Sequence, residues 1–202
     1  ATNAGGTQVL RFGTMRGLVA GIEAVMPDGS VHDSLAALKK DNRGYSLDHL
    51  LVGSEGTLGV ITAATLRLAP AVAERAVAWA GLASPHQALE LLRFLDERAD
   101  GVEGFEILPG DALERVLRHI PGTRNPLAGE HRWHVLIEAT GDQPQPMLER
   151  CLGKALEARI AEDAVIAASE AQAEAFWRIR DSISEAERAS GQSTAHDISV
   201  PV

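Results

Sequence analysis

Arg180 falls in the middle of a helix predicted over Glu170 to Ala189. Its neighbours three and four positions away are Phe176, Trp177, Ile183 and Ser184, none of them acidic. A guanidinium on such a semi-apolar face needs a partner from outside its own helix, because an unpaired charge is costly to bury. A planar carboxylate matches it best, since Arg can hold both oxygens in a fork. An organic acid is one candidate for that partner; an Arg laying its stem over a core edge or bridging to another element is the other. Arg178 differs, with Glu174 four residues before it and Asp181 three after it. An ordinary surface ion pair is expected there.

A second constellation is the block from Asn42 to Thr62, in which Gly53, Gly56 and Gly59 recur at intervals of three between two apolar runs. Glycine at such a junction permits positive φ and a close approach to a ligand that a Cβ would hold away. A large, flat, polar cofactor fits that role, and so does a pair of tight turns without any ligand. The spacing is not G-x-G-x-x-G and no helix obviously follows, which disfavours a Rossmann or Walker loop. Thr2, Asn3, Gly5 and Gly6, at the start of the chain, suit either a loose terminus or a loop offering backbone N–H groups to an anionic or carbonyl-rich ligand.

Other reactive side chains form no recognisable set. His131 and His134 stand at i, i+3 at the lip of a predicted strand, while His32, His49, His86 and His119 are isolated in sequence. No H-E-x-x-H, Cys/His cluster or G-x-S-x-G elbow occurs. Cys151, on an amphipathic helix, reads as a small buried hydrophobe.

The elements that must position these residues are legible from punctuation and periodicity. A short helix near Thr14 to Val19, a hairpin at Pro27-Asp28-Gly29, a helical turn at Leu47 to Leu51 and a strand from Gly59 to Leu68 are predicted first. After Pro70 strands and helices alternate. Ala71 to Ala83 is a strand. Ser84-Pro85 opens a helix with Leu89, Leu92 and Leu95 as its apolar stripe. Strand Gly104 to Leu108, helix Asp111 to Ile120 capped by Asp111, strand Trp133 to Ala139, helix Pro146 to Ile160 and strand Ala164 to Ala168 follow. The last helix opens at Ser169 with a capping box. No internal repeat or low-complexity tract interrupts this order.

The 202 residues, 45% of them hydrophobic, suffice for one large or two small packed domains. A net charge of −9 argues against nucleic acid or an anionic membrane as partner. No apolar run of about 18 residues suggests a transmembrane segment. One cysteine excludes an internal disulfide and suits a reducing compartment, so the cytoplasm is the expected location. The first residue is not Met and the last run, H-D-I-S-V-P-V, has no cap, so the chain is expected to be a piece of something longer.

In chain order, T-N-A-G-G, R-F-G-T-M-R-G-L-V-A-G-I-E-A-V-M-P-D-G, K-D-N-R-G-Y, G-S-E-G-T-L-G-V-I-T and H-D-I-S-V-P-V resemble segments of the FAD-linked oxidases of the vanillyl-alcohol oxidase type. The likeness is to the branch that dehydrogenates D-2-hydroxy acids: D-lactate and D-2-hydroxyglutarate dehydrogenases and the flavin subunit of glycolate oxidase. The resemblance implies an α+β chain. Residues 1–74 would be the C-terminal part of an FAD-binding domain, and 75–202 part of a ferredoxin-like substrate domain. It implies FAD as cofactor, with Gly59, Val60 and Ile61 along its riboflavin and ribityl part, Glu55 close by, and Thr2, Asn3, Gly5 and Gly6 against the pyrophosphate and ring. It makes Arg180 the reader of the substrate carboxylate, assisted by Ser184.

A divalent metal, zinc being the expected ion, its ligands and the catalytic base would lie beyond Val202, so this chain carries no expected catalytic residue. The implied reaction oxidises a D-2-hydroxy acid to the 2-oxo acid with a separate electron acceptor; a homodimer is compatible with it. The chain alone is expected to hold FAD weakly and to show no turnover. Ala195 departs from the pattern, since many relatives place a lysine there that also reaches the substrate acid, and this weakens the case for a dicarboxylate. Two rivals are a non-redox flavoprotein of the alkylglycerone-phosphate synthase type and a flavin-free interaction module that mediates dimer contacts.

Overall fold

The computed structural model describes residues 1–192 apart from 5, 7, 8, 37, 39, 41, 43, 72 and 73, together with residue 194. Two compact units make up the chain, Ala1–Ala71 and Val72–Val202.

In the first unit α1 (Val9–Phe12) and α2 (Met15–Leu18) lead into β1 (Val19–Val25), the middle strand of an antiparallel sheet. Its neighbours are β2 (Val31–Asp33) and β3 (Val60–Leu66). The hairpin between β1 and β2 forms at the predicted turn. Gly29 takes φ +82, and the Asp28 carboxylate accepts hydrogen bonds from the Ser30 backbone and hydroxyl. The short helix α3 (Leu47–Leu51) is capped by the Ser46 hydroxyl, which accepts from the His49 N–H. Val19, Ile22, Ala24, Leu51 and Val52 form the core of this unit. Helix α1 was not expected; Gly13, at φ +69, separates it from α2.

The second unit runs β4 (Glu74–Leu82), α4 (Pro85–Asp96), β5 (Val102–Pro109), α5 (Gly110–His119), β6 (Trp133–Gly141), α6 (Pro144–Glu157), β7 (Asp163–Ile166), α7 (Glu170–Asp181) and α8 (Ile183–Ser190). The strands pair antiparallel in the order β5-β6-β4-β7. With α4 and α6 as crossovers, this is the expected ferredoxin-like arrangement and the expected α+β class. Strand alternation then sorts the side chains. Ala76, Ala78, Ala80, Leu82, Val135, Ile137 and Ala139 pack with α4 and α6 residues. Val77, Trp79, Leu108 and Leu136 pack with residues of α5, α7 and α8. The sheet is therefore covered on both faces.

Several local expectations need correction. Helix α4 buries Ala88, Leu91 and Leu95, not the stripe 89/92/95; Leu89 is exposed, because the sheet beneath selects the face. Helix α5 begins after Pro109 with no side-chain cap, and Asp111 instead pairs with Arg115 one turn on. The long helix expected over Glu170 to Ala189 breaks at Ser182 into α7 and α8. Caps supplied by Ser84 and Ser169 are present as expected.

Candidate functional site

Three segments distant in sequence meet in the first unit. The Ala1 carbonyl accepts from the N–H groups of Gly53 at 2.8 Å and Glu55 at 3.2 Å. The Asn3 side-chain oxygen accepts from the Arg16 N–H at 2.8 Å, and the Arg16 guanidinium donates to the Val52 carbonyl at 2.8 Å. Asn3 and Glu55 both occupy the left-handed region at φ 52, a conformation costly for residues with a Cβ and held here by these bonds.

The glycines of this block do different things. Gly53, at φ +93, leaves room for the protein's own Arg16 and Asn3; a Cβ would lie 3.0 Å from the guanidinium and 3.2 Å from the Asn3 Cβ. Gly59 lets the chain pass the Val25 carbonyl, which a Cβ would approach to 3.0 Å. Gly56, at φ +82, faces open space. Internal packing accounts for two of the three glycines, and Gly56 is the one with room for a foreign molecule. Thr2 is exposed, Gly6 has open space above it, Val60 is 62% exposed, and Ile61 packs against the small core. Gly5, Ala195 and the H-D-I-S-V-P-V run lie outside the described residues.

Beside this block an apolar cleft of about 530 Å³ is lined by Met26, Val31, Leu47, Leu50 and Leu58, with His32 at its edge. His32 is not isolated in space. Its Nε2 lies 2.7 Å from Asp48 Oδ1, which also accepts from the Ser34 hydroxyl at 2.6 Å. Small residues, backbone groups and apolar side chains, without a cluster of charge, form the donor set around Gly56 to Val60. That chemistry fits the ring and ribityl part of a flavin.

In the second unit Arg180 and Ser184 line one cleft of about 230 Å³, together with Glu106, Leu108, Asp181 and Ile183. Arg180 does find its partner outside its own helix, and in the structure that partner is a carboxylate of another element, the bridging alternative. Its Nε and Nη2 both donate to Glu106 Oε2 on β5, at 3.1 and 2.9 Å, and its Nη1 lies 3.5 Å from Asp181 Oδ1. Arg178 reverses its expectation. Glu174 is drawn away to Arg75 on β4, Asp181 turns to Arg180, and Arg178 donates to the Pro121 carbonyl at 2.9 Å. Arg75 also binds Glu170 and reaches the buried Glu138, while the Trp177 indole donates to Glu138 at 2.7 Å. The hydrogen bonds to Glu170 and Glu174 and the nearby carboxylates hold the Arg75 guanidinium even more firmly charged than usual. This network ties α7 to the sheet and so fixes the base from which Arg180 projects.

Glu106 is the neighbour that sequence reasoning missed. It shares its strand face with Leu108, two residues on, so a charged residue stands at a core-phase position. That phase was the available signal. His131 and His134 do not converge on a common ligand: His131 Nδ1 lies 2.8 Å from Glu162, and His134 accepts from Trp79. Among the described residues no group of three or more His, Cys, Asp or Glu could hold a metal ion.

Residues 72–202 match the family described as "FAD linked oxidases, C-terminal domain". The chain belongs to this family. Over its whole length it is 38% identical to a protein of Arabidopsis thaliana named D-2-hydroxyglutarate dehydrogenase, mitochondrial, and covers 37% of that protein. A D-2-hydroxyglutarate dehydrogenase of Xanthomonas citri pv. viticola is 39% identical over 92% of the chain, which covers 39% of it. The chain thus spans well under half the length of these relatives. A solved alkyldihydroxyacetonephosphate synthase superposes with TM-score 0.61 over 94% of the chain and 35% of its own length, at 15% identity, a likeness of fold alone. Several matched relatives are named as mitochondrial, which overturns the cytoplasmic expectation; the single cysteine records redox compatibility and no address. No helix among the described residues is long and apolar enough to cross a membrane.

Proposed function

We propose that the chain is part of an FAD-dependent dehydrogenase that oxidises a D-2-hydroxy acid to the 2-oxo acid and hands the electrons to a separate acceptor. Membership of the FAD-linked oxidases and the names of the Arabidopsis and Xanthomonas relatives support this reading. The observation that carries it is the shared cleft of Arg180 and Ser184, a guanidinium and a hydroxyl four residues apart beside apolar Leu108 and Ile183. Such a pair can hold a carboxylate by charge and hydrogen bonding.

In this proposal residues 1–74 belong to a flavin-binding domain and residues 75–202 to the substrate domain. Gly59, Val60 and Ile61, with Glu55 and the loop of Thr2, Asn3, Gly5 and Gly6, would hold the cofactor through backbone and small polar groups. Bound FAD supplies the two-electron acceptor that the oxidation needs. Arg180 would grip the substrate carboxylate, and Ser184 would donate a hydrogen bond to it. A divalent metal would belong to the full-length protein.

The test is Arg180→Ala in the full-length protein, assayed with D-lactate, D-malate, glycolate and D-2-hydroxyglutarate and an artificial dye acceptor. The expected result is a rise in KM of about a hundredfold for the preferred acid, from loss of a charge-assisted pair. An unchanged KM in a folded, flavin-loaded variant would overturn the assignment of Arg180.

A further inference from the structure

Glu106 sits where a competitor for Arg180 would sit, so its effect on an incoming acid can run in either direction. Geometry separates the alternatives. A guanidinium carries five N–H donors in a fixed plane. Glu106 engages one edge of it, Nε and Nη2, through a single oxygen, Oε2. Among the described residues the outer end, carrying Nη1 and the second hydrogen of Nη2, meets only Asp181, which accepts a long hydrogen bond from Nη1 at 3.5 Å and is 64% exposed. One hydrogen of Nη2 is left, and an incoming carboxylate that displaces the exposed Asp181 from Nη1 would complete the fork that Arg uses for such groups.

We infer that Glu106 is a positioning residue for substrate binding: it clamps the inner edge of Arg180 so that the outer edge presents a pre-set fork to the acid. The inference rests on the reading of Arg180 as the carboxylate anchor. Glu106 belongs to β5, which is hydrogen-bonded along β6, and its own side chain is only 23% exposed. Arg180 stands on α7, which Trp177 and Arg75 fix to Glu138. Both ends of the clamp are thus anchored to the same sheet. A flexible side chain held this way loses its rotamer freedom during folding instead of during binding, which is the usual advantage of preorganisation.

The clamp also bears on the class of acid. Around Arg180 the cleft brings together one cation and two carboxylates, Glu106 and Asp181. One substrate carboxylate can be gripped by the outer fork. A second one on the same molecule would meet no other cation among the described residues lining this cleft.

The experiment uses the full-length, flavin-loaded protein with D-lactate and D-2-hydroxyglutarate, comparing Glu106→Ala, Glu106→Gln, Arg180→Ala and the Glu106→Ala/Arg180→Ala double variant. Expected is a KM rise of about ten- to a hundredfold for Glu106→Ala with kcat much less affected, a smaller rise for Glu106→Gln, which can still accept a hydrogen bond, and no further rise in the double variant over Arg180→Ala. An unchanged or lowered KM in Glu106→Ala overturns the clamp and makes Glu106 a bystander or competitor. A further loss when Glu106→Ala is added to Arg180→Ala also overturns it, since the two residues then act independently. If Arg180→Ala itself leaves KM unchanged, the anchor reading fails and the clamp with it; if Arg180→Ala raises KM and Glu106→Ala does not, the clamp alone fails.

Discussion

The Trp79 indole N–H points at Nδ1 of His134, 3.1 Å away in the core of the second unit. Indole nitrogen only donates, so Nδ1 must carry its lone pair and the imidazole is neutral. Burial, and secondarily the neighbouring His131, pull the His134 pKa down to about 4 from the ordinary 6.5.

That depression has a sign. The unfolded chain binds a proton at His134 as pH falls through 6.5, whereas the folded chain resists until about 4. Stability from this group is complete above pH 6.5 and is lost progressively down to pH 4, by roughly 3 kcal/mol. Urea unfolding at pH 7, 5.5 and 4.5 should show this loss. His134→Gln, which offers Trp79 another acceptor, should be less stable at pH 7 but lose less between pH 7 and 4.5. Equal slopes for the two proteins would remove His134 from the account.

Gly81 leaves the room that the His131 ring fills: a Cβ at position 81 would overlap Cγ and Cδ2 of that ring. His131 cannot swing aside freely, because its Nδ1 is held 2.8 Å from Glu162. Gly81→Ala should therefore cost about 1–3 kcal/mol through overpacking. Adding His131→Ala should return part of that loss in a double-mutant cycle, seen as a recovered denaturation midpoint. Additive losses would show that the clash lies elsewhere.

Gly53 and Gly17 make a matched pair. Gly53 has φ +93 and neighbours at 3.0 and 3.2 Å from a would-be Cβ, while Gly17, in α2, has nothing within 4 Å. Gly53→Ala should destabilise the first unit by about 1–2 kcal/mol, from backbone strain with added crowding. Gly17→Ala should be neutral or slightly stabilising, since alanine is the better helix former. Thermal unfolding followed by circular dichroism separates them.

Much of the fold was legible because its signals are local. Leu47–Leu51 was read to the residue, Ser84-Pro85 and Ser169 announced their helices, and Pro27-Asp28-Gly29 announced the hairpin. The environment of the candidate site was not, because it is built by distant residues. Glu174 left Arg178 for Arg75, 99 positions away, and Arg180 found Glu106, 74 positions away. Helical spacing ranks partners within one helix and says nothing about which carboxylate an adjacent strand will present. The stripe on α4 slipped for a related reason. Several faces of P-H-Q-A-L-E-L-L-R-F-L-D are apolar, and only the sheet decides that Ala88, Leu91 and Leu95 go inward.

The interruption at Ser182 puts the guanidinium and the hydroxyl on separate helices. Arg180 inherits its position from α7 and the Glu138 network, whereas Ser184 rides on α8, which packs against α5. Helix α5 packs on α8 more extensively than on α7, so a substitution along α5 would move the hydroxyl more than the guanidinium. Under the proposed function, such changes would tune the preference for acid length or branching before they touched the hold on the acid group.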